Sequence, residues 1–342
     1  MFYPNGDAIR KLIRVMERNV VFDIARCLAI FIVICLHSLG LLDMSTDQGY
    51  GNHLIIRSLY SFASIGVPLF VMLSGALLLG KKESINCFYK KRARRLLLPF
   101  LIWSIIVCGI LYIQEGGCDI CEYVSRLLHD ITTKGVHGIY WFVYMIVGLY
   151  IMTPIFRVIA QNDNTYLIYY FAAFAFCVTI VSEYYPQVIL FSSWNSSYCV
   201  YIFYFLSGYI VVRDLQKSRL FSLISRNVAC LSYIILVLFC YYHLDLGIIT
   251  ILFSLSVFSF IITIRSKSVF SVFKWIGGGN ISQYSYGIYL THFMLISAFI
   301  KTGIFYKIPL WIEPICMAAC VLLTSTGIFF VFDKLKMNKL VM

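Results

Sequence analysis

Arg26 and His37 stand eleven residues apart in one apolar stretch, Asp23-Ile-Ala-Arg26-Cys-Leu-Ala-Ile-Phe-Ile-Val-Ile-Cys-Leu-His37. Ionisable side chains are costly at bilayer depth, so their presence there marks a candidate functional site. On a helix turning about 100° per residue, eleven residues make about three full turns, which puts both side chains on one face about 16 Å apart. The guanidinium is a permanent cation suited to anions, and the imidazole is a base that titrates near neutral pH. Together they suggest a route for chemistry across the membrane. Each has a structural reading as well. Arg26 fits an anchor reaching for lipid headgroups, and His37 fits a histidine packed between helices. The shared face favours the functional reading.

The elements that must position these residues follow from composition. Hydrophobic residues make up 61% of the 342-residue chain and charged residues 13%, against about 25% charged in a soluble domain. That composition predicts an all-α polytopic membrane protein. Ten spans are expected, near 24–42, 58–79, 96–114, 139–159, 166–182, 198–212, 228–243, 247–264, 284–300 and 312–332. With the N-terminus in the cytoplasm, 22 of the 28 lysines and arginines fall on the inner side and five on the outer, Arg26 standing apart at the inner end of the first span. The split predicts both termini inside.

The net charge of +12 is explained by anionic inner-leaflet lipid and calls for no nucleic acid. Residues 8–20 alternate basic and apolar faces and read as a helix on the inner membrane surface. No cleaved signal peptide is expected. The whole chain, 1–342, is expected to be one transmembrane domain without a fused soluble part. Most of the twelve cysteines lie in apolar runs and read as small hydrophobes. Cys118 and Cys121, in the outer segment 115–138, read as free thiols or a local disulfide, and no metal site is expected. Glu183 and His243 lie near outer helix ends, where they are open to an acceptor or simply solvated.

Five stretches in order resemble the membrane acyltransferase-3 family. The first is Arg26, ten residues, then His37, with Asp23 before them. The others are Gly66-Val-Pro-Leu-Phe70-Val-Met-Leu-Ser74-Gly75, Phe88-Tyr-Lys-Lys-Arg92-Ala-Arg94-Arg95-Leu-Leu-Leu-Pro99-Phe100, Tyr140-Trp141-Phe142-Val-Tyr144 through Pro154, and Ile281-Ser-Gln-Tyr-Ser285-Tyr286-Gly287-Ile-Tyr289-Leu-Thr-His292. Two departures stand out. Many relatives carry a histidine where this chain has Ile139, and His137 is out of register for that role. The proline pair before the aromatic is here Leu98-Pro99.

The resemblance implies transfer of an acyl group, commonly acetyl from acetyl-CoA, to a hydroxyl of a surface polysaccharide such as O-antigen or its lipid-linked precursor. The setting implied is a bacterial inner membrane. Arg92, Arg94 and Arg95, beside Lys90 and Lys91, are then the expected dock for the coenzyme A phosphates. Arg26 would receive the phosphate-pantetheine junction, and His37 would act as general base in a direct transfer. Ser74, Tyr140, Trp141 and Tyr289 are the candidate oxyanion stabilisers, and Asp23 and His292 are further candidates for lining the site. Two other classes compete. A transporter of a glycan or small solute fits a ten-helix bundle with polar residues, but no paired broken helices mark two related halves. A glycan polymerase would carry a larger, more basic outer loop than 115–138.

Overall fold

The structure is a computed structural model that describes residues 6–43, 50–133, 135–184, 196–215, 219–241, 247–264, 266–309 and 311–337. Among them every regular element is helical, as a bilayer demands of backbone groups that cannot pair with water. The chain is a multi-pass membrane protein. Six helices or joined helices are long and apolar enough to cross a bilayer: Val20–Gly40, Ser58–Leu78, Ile85–Gln114, Gly138–Ala160, Tyr166–Tyr184 and Glu313–Lys334. A seventh is present if Gly247–Ile262 and Lys267–Trp275, which meet at 94°, form one broken span.

The expected count of ten is therefore not confirmed, although each expected span falls on helix where the chain is described. The segment 228–243 ends outside the described residues. The shortfall has a physical source. The helix Gly278–Thr302 has the length to cross, but Asn280, Ser282, Gln283, Ser285, Thr291 and His292 dilute its apolar character. The helix Ser196–Ile210 is only 15 residues long.

At the centre lies α1 (Gly6–Asp43), unbroken over 38 residues, of which 8–20 are the opening turns. It packs against α3 (Gly66–Leu78), α13 (Gly278–Thr302) and α14 (Glu313–Lys334). In turn α3 crosses α9 (Ser196–Ile210) at backbone contact. A Cβ on Gly75 would stand 1.7 Å from the Phe205 carbonyl oxygen, and one on Gly208 1.9 Å from that of Met72. Small residues allow such approach between membrane helices, where packing rather than water drives association.

Following α3, α4 (Ile85–Arg92) runs through one π-turn, Ala93–Leu97, into α5 (Leu98–Gln114). Pro99, in the first turn of α5, has no N–H to give the preceding turn. The wider turn closes instead through Leu98 N–H to the Ala93 carbonyl, and an inserted residue of this kind re-aims the side chains around it. Beyond the far end of α5, α6 (Ile120–Thr132) lies in segment 115–138, capped by Asp119, which accepts the N–H of Cys121 at 2.6 Å. Cys118 and Cys121 are both free thiols.

Candidate active site

Arg26 Nη1 donates to Asp23 Oδ1 and to Ser282 Oγ of α13, both at 2.8 Å, and Ser282 Oγ donates to the same Asp23 oxygen at 2.6 Å. Asp23 precedes Arg26 by one helical turn and so shares its face. This closed triangle fixes the guanidinium against α13. Ten residues farther along α13, His292 is wholly buried, and its ring centre lies 5.1 Å from that of His37. Arg26 and His37 thus both face α13, as the eleven-residue spacing requires of a straight helix.

Beside Arg26 opens a cavity of about 500 Å³ between α1, α3, the end of α4 with its π-turn, α7 (Trp141–Ala160) and α13. Among the described residues lining it are four cations, Arg26, Lys81, Arg92 and Arg95, and no carboxylate. Arg92 lies over the rings of Phe88 and Tyr150 at 5.4 and 5.7 Å, and its Nε is buried without a hydrogen-bond partner. Burial first, and then the neighbouring Arg92, hold the Lys81 ammonium below its ordinary value. Such crowding of cations favours an anionic occupant.

The rim beside the basic run 81–95 is held by Arg157. Its Nε donates to the Leu78 carbonyl at 2.9 Å, its Nη2 to Glu83 at 2.8 Å, and its guanidinium lies 4.5 Å from the Phe88 ring centre. Lys91 adds a second bond to Glu83 at 3.1 Å. The Glu83 carboxyl is held at about 2, chiefly by the Arg157 hydrogen bond.

The sequence profile of the acyltransferase-3 family, described as an acyltransferase domain, matches residues 19–334. The chain belongs to this family. Neither curated proteins nor solved structures give a match. As a member of the acyltransferase-3 family the chain is a membrane acyltransferase, and its cationic cavity and histidine pair lie within the matched residues.

Within this acyltransferase the expected site residues separate into groups. Arg26, Arg92, Arg95, Ser74 and Tyr289 line the cavity. Arg94 is exposed and does not line it; two residues on from Arg92, it lies about half a turn away and so on the other face. Tyr140 donates its hydroxyl to the Leu290 carbonyl at 3.0 Å, and Tyr289 donates to the Ile139 carbonyl, so both protons are committed to backbone. Trp141 faces a different cavity, of about 310 Å³, where its ring tilts against Tyr201 at 5.7 Å. Glu183 accepts the Gly247 N–H at 3.2 Å and so caps α11 (Gly247–Ile262), whereas His243 lies outside the described residues.

His37 and His292 do not line the main cavity. Tyr289 lies between the two. It lines the cavity, and its ring centre is 5.7 Å from that of His292. Phe142 packs on Tyr289 at 5.2 Å and on Phe70 at 6.1 Å, completing an aromatic layer. Sequence reasoning missed Lys81, whose place at the start of the basic run 81–95 was its only signal, and Ser282, which nothing in the pattern of α13 distinguishes. It also set aside His137. That ring packs on Phe293 at 4.1 Å, next to His292, and burial pushes its imidazole below the ordinary value.

Proposed function

We propose that the chain transfers an acyl group, acetyl in the first instance, from cytoplasmic acyl-CoA to a hydroxyl of a surface glycan or its lipid-linked precursor, in a bacterial inner membrane. One observation supports the donor: a cavity whose described lining holds four cations and no carboxylate, three of them from the basic run 81–95. Coenzyme A brings the phosphates that such a cavity lacks, and planar guanidinium groups bind phosphate through paired hydrogen bonds. Arg26, locked by Asp23 and Ser282, holds its charge at a fixed point on the route toward His37.

The reaction then needs a base near an acceptor hydroxyl. In this reading His37 takes the hydroxyl proton as the oxygen attacks the thioester carbonyl. The tetrahedral intermediate collapses, the C–S bond breaks, and the proton passes from the imidazolium to the leaving thiolate. An oxyanion donor contributes about 10²–10³ in rate in such transfers. Ser74, whose side chain lines the cavity, is the candidate left once Tyr140 and Tyr289 are bonded to carbonyls.

Membranes holding the protein, given radiolabelled acetyl-CoA, should label the surface polysaccharide fraction. His37→Ala should reduce transfer by about 10²–10⁴-fold, the usual worth of a general base, while the protein still accumulates in the membrane. Movement of glycan without covalent labelling would replace this reading with transport.

A further inference from the structure

One of the two ring nitrogens of buried His292 is accounted for. Nδ1 lies 2.5 Å from the Tyr289 carbonyl oxygen, one turn back on the same helix. A carbonyl only accepts, so Nδ1 carries the proton, and in the neutral ring Nε2 is left as a bare acceptor. That nitrogen is buried without a hydrogen-bond partner. Buried polar atoms are nearly always paired, so an orphan acceptor points to a donor that reaches it at some stage of the cycle.

The adjacent ring belongs to His37, centre to centre at 5.1 Å with the planes inclined by 41°. Two imidazoles sharing one N–H···N bond of about 2.9 Å stand about 5 Å apart, so the rings are at bonding range although no bond joins them in this structure. The third imidazole nearby, His137, accepts the Ile139 N–H at Nδ1 and packs its ring on Phe293 at 4.1 Å rather than on either histidine. The orphan nitrogen of His292 and the ring of His37 therefore form a pair on facing helices.

We propose that His292 is the positioning residue of His37. Its Nε2 accepts the N–H of His37 and thereby selects the tautomer whose other nitrogen faces the acceptor hydroxyl. When that nitrogen takes the hydroxyl proton, the imidazolium keeps its second N–H shared with His292, and charge is held where, among the described residues, no carboxylate makes contact. The acceptor O–H bond breaks, an N–H bond forms on His37, and the same proton later leaves with the thiolate. This rests on His37 being the base in acyl transfer.

Three variants of the full chain, assayed in membranes with labelled acetyl-CoA and the polysaccharide of the same membranes, test the pairing. His292→Phe keeps the ring's volume and removes both nitrogens. His292→Asn reaches only the Nδ1 position, and His292→Gln extends an amide to the Nε2 position. The expected result is a fall in kcat of about 10–100-fold for Phe and Asn, the usual effect of losing an orienting partner, with KM for acetyl-CoA little changed. Gln should recover part of the rate that Asn loses. If the Phe variant fails to fold, the comparison of Asn with Gln decides alone. A kcat near wild type in His292→Asn, equal rates for Asn and Gln, or a loss that appears in KM overturns the pairing while leaving His37 as base. Wild-type transfer by His37→Ala removes the base itself, and the pairing falls with it.

Discussion

Arg92 and Arg94 lie two residues apart in one basic run, yet Arg92 sits over aromatic rings at the cavity wall and Arg94 points outward. The difference is measurable. A charge-assisted hydrogen bond is worth about 1.5–3 kcal/mol, so Arg92→Ala should raise KM for acetyl-CoA by about 10–100-fold. Arg94→Ala should stay within about twofold, as exposed charges generally do. Initial rates against acetyl-CoA concentration give both values, and equal penalties would remove the distinction. Arg26 and His37 were legible in the sequence because a helical period is fixed geometry. Arg92 was not separated from Arg94, because the sequence does not show which face of this basic turn meets a cavity. Ser282 was hidden for another reason, since its bond to Arg26 spans 256 positions of sequence and exists only through the packing of α1 on α13.

Between elements, two contacts hold the cavity's walls. Where α3 crosses α9, each backbone fills the space a side chain would need at Gly75 and Gly208. Gly75→Ala must push the helices apart, at a cost of about 1–3 kcal/mol or more, and Ser74 moves with them. Gly148→Ala in α7 meets nothing within 4 Å and should instead gain about 0.5–1 kcal/mol from better helix propensity. Thermal melting in detergent should therefore shift in opposite directions for the two. The other contact is Glu83 with Arg157. Its carboxyl lies at about 2 in the folded chain against 4.5 when unpaired. The unfolded state therefore binds the proton first, so this tie contributes fully above about 4.5 and is lost as pH falls toward 2. Melting temperature should drop on acidification through that window, and Glu83→Gln should flatten the drop; an unchanged profile would mean the tie carries no stability. The helices were readable from apolar runs alone, and α13 is the instructive exception. Two of the polar residues that lower its hydropathy, Ser282 and His292, are the ones that meet Arg26 and His37.

For the whole molecule, the lysine and arginine distribution set an inside and an outside, but no sequence pattern showed where a cavity would end. It ends at the layer of Phe70, Phe142 and Tyr289. On one side lie the cations suited to a cytoplasmic donor, and on the other the two histidines. In the proposed reaction a thioester must pass this layer to be attacked, and water must be kept from doing the same, because hydrolysis would waste the donor. Closed aromatic packing meets the second need and opposes the first, so the layer has to part when the donor arm enters. Phe142 is the member to test, since it touches both of the others. Phe142→Ala should open the layer permanently. Release of free coenzyme A from acetyl-CoA in the absence of acceptor should then rise above the wild-type level, while transfer to the glycan falls. Adding His37→Ala should abolish the leak if the same base activates the water. Unchanged coenzyme A release in folded Phe142→Ala would place the barrier elsewhere and leave the route between the cations and the histidines to run around Phe142.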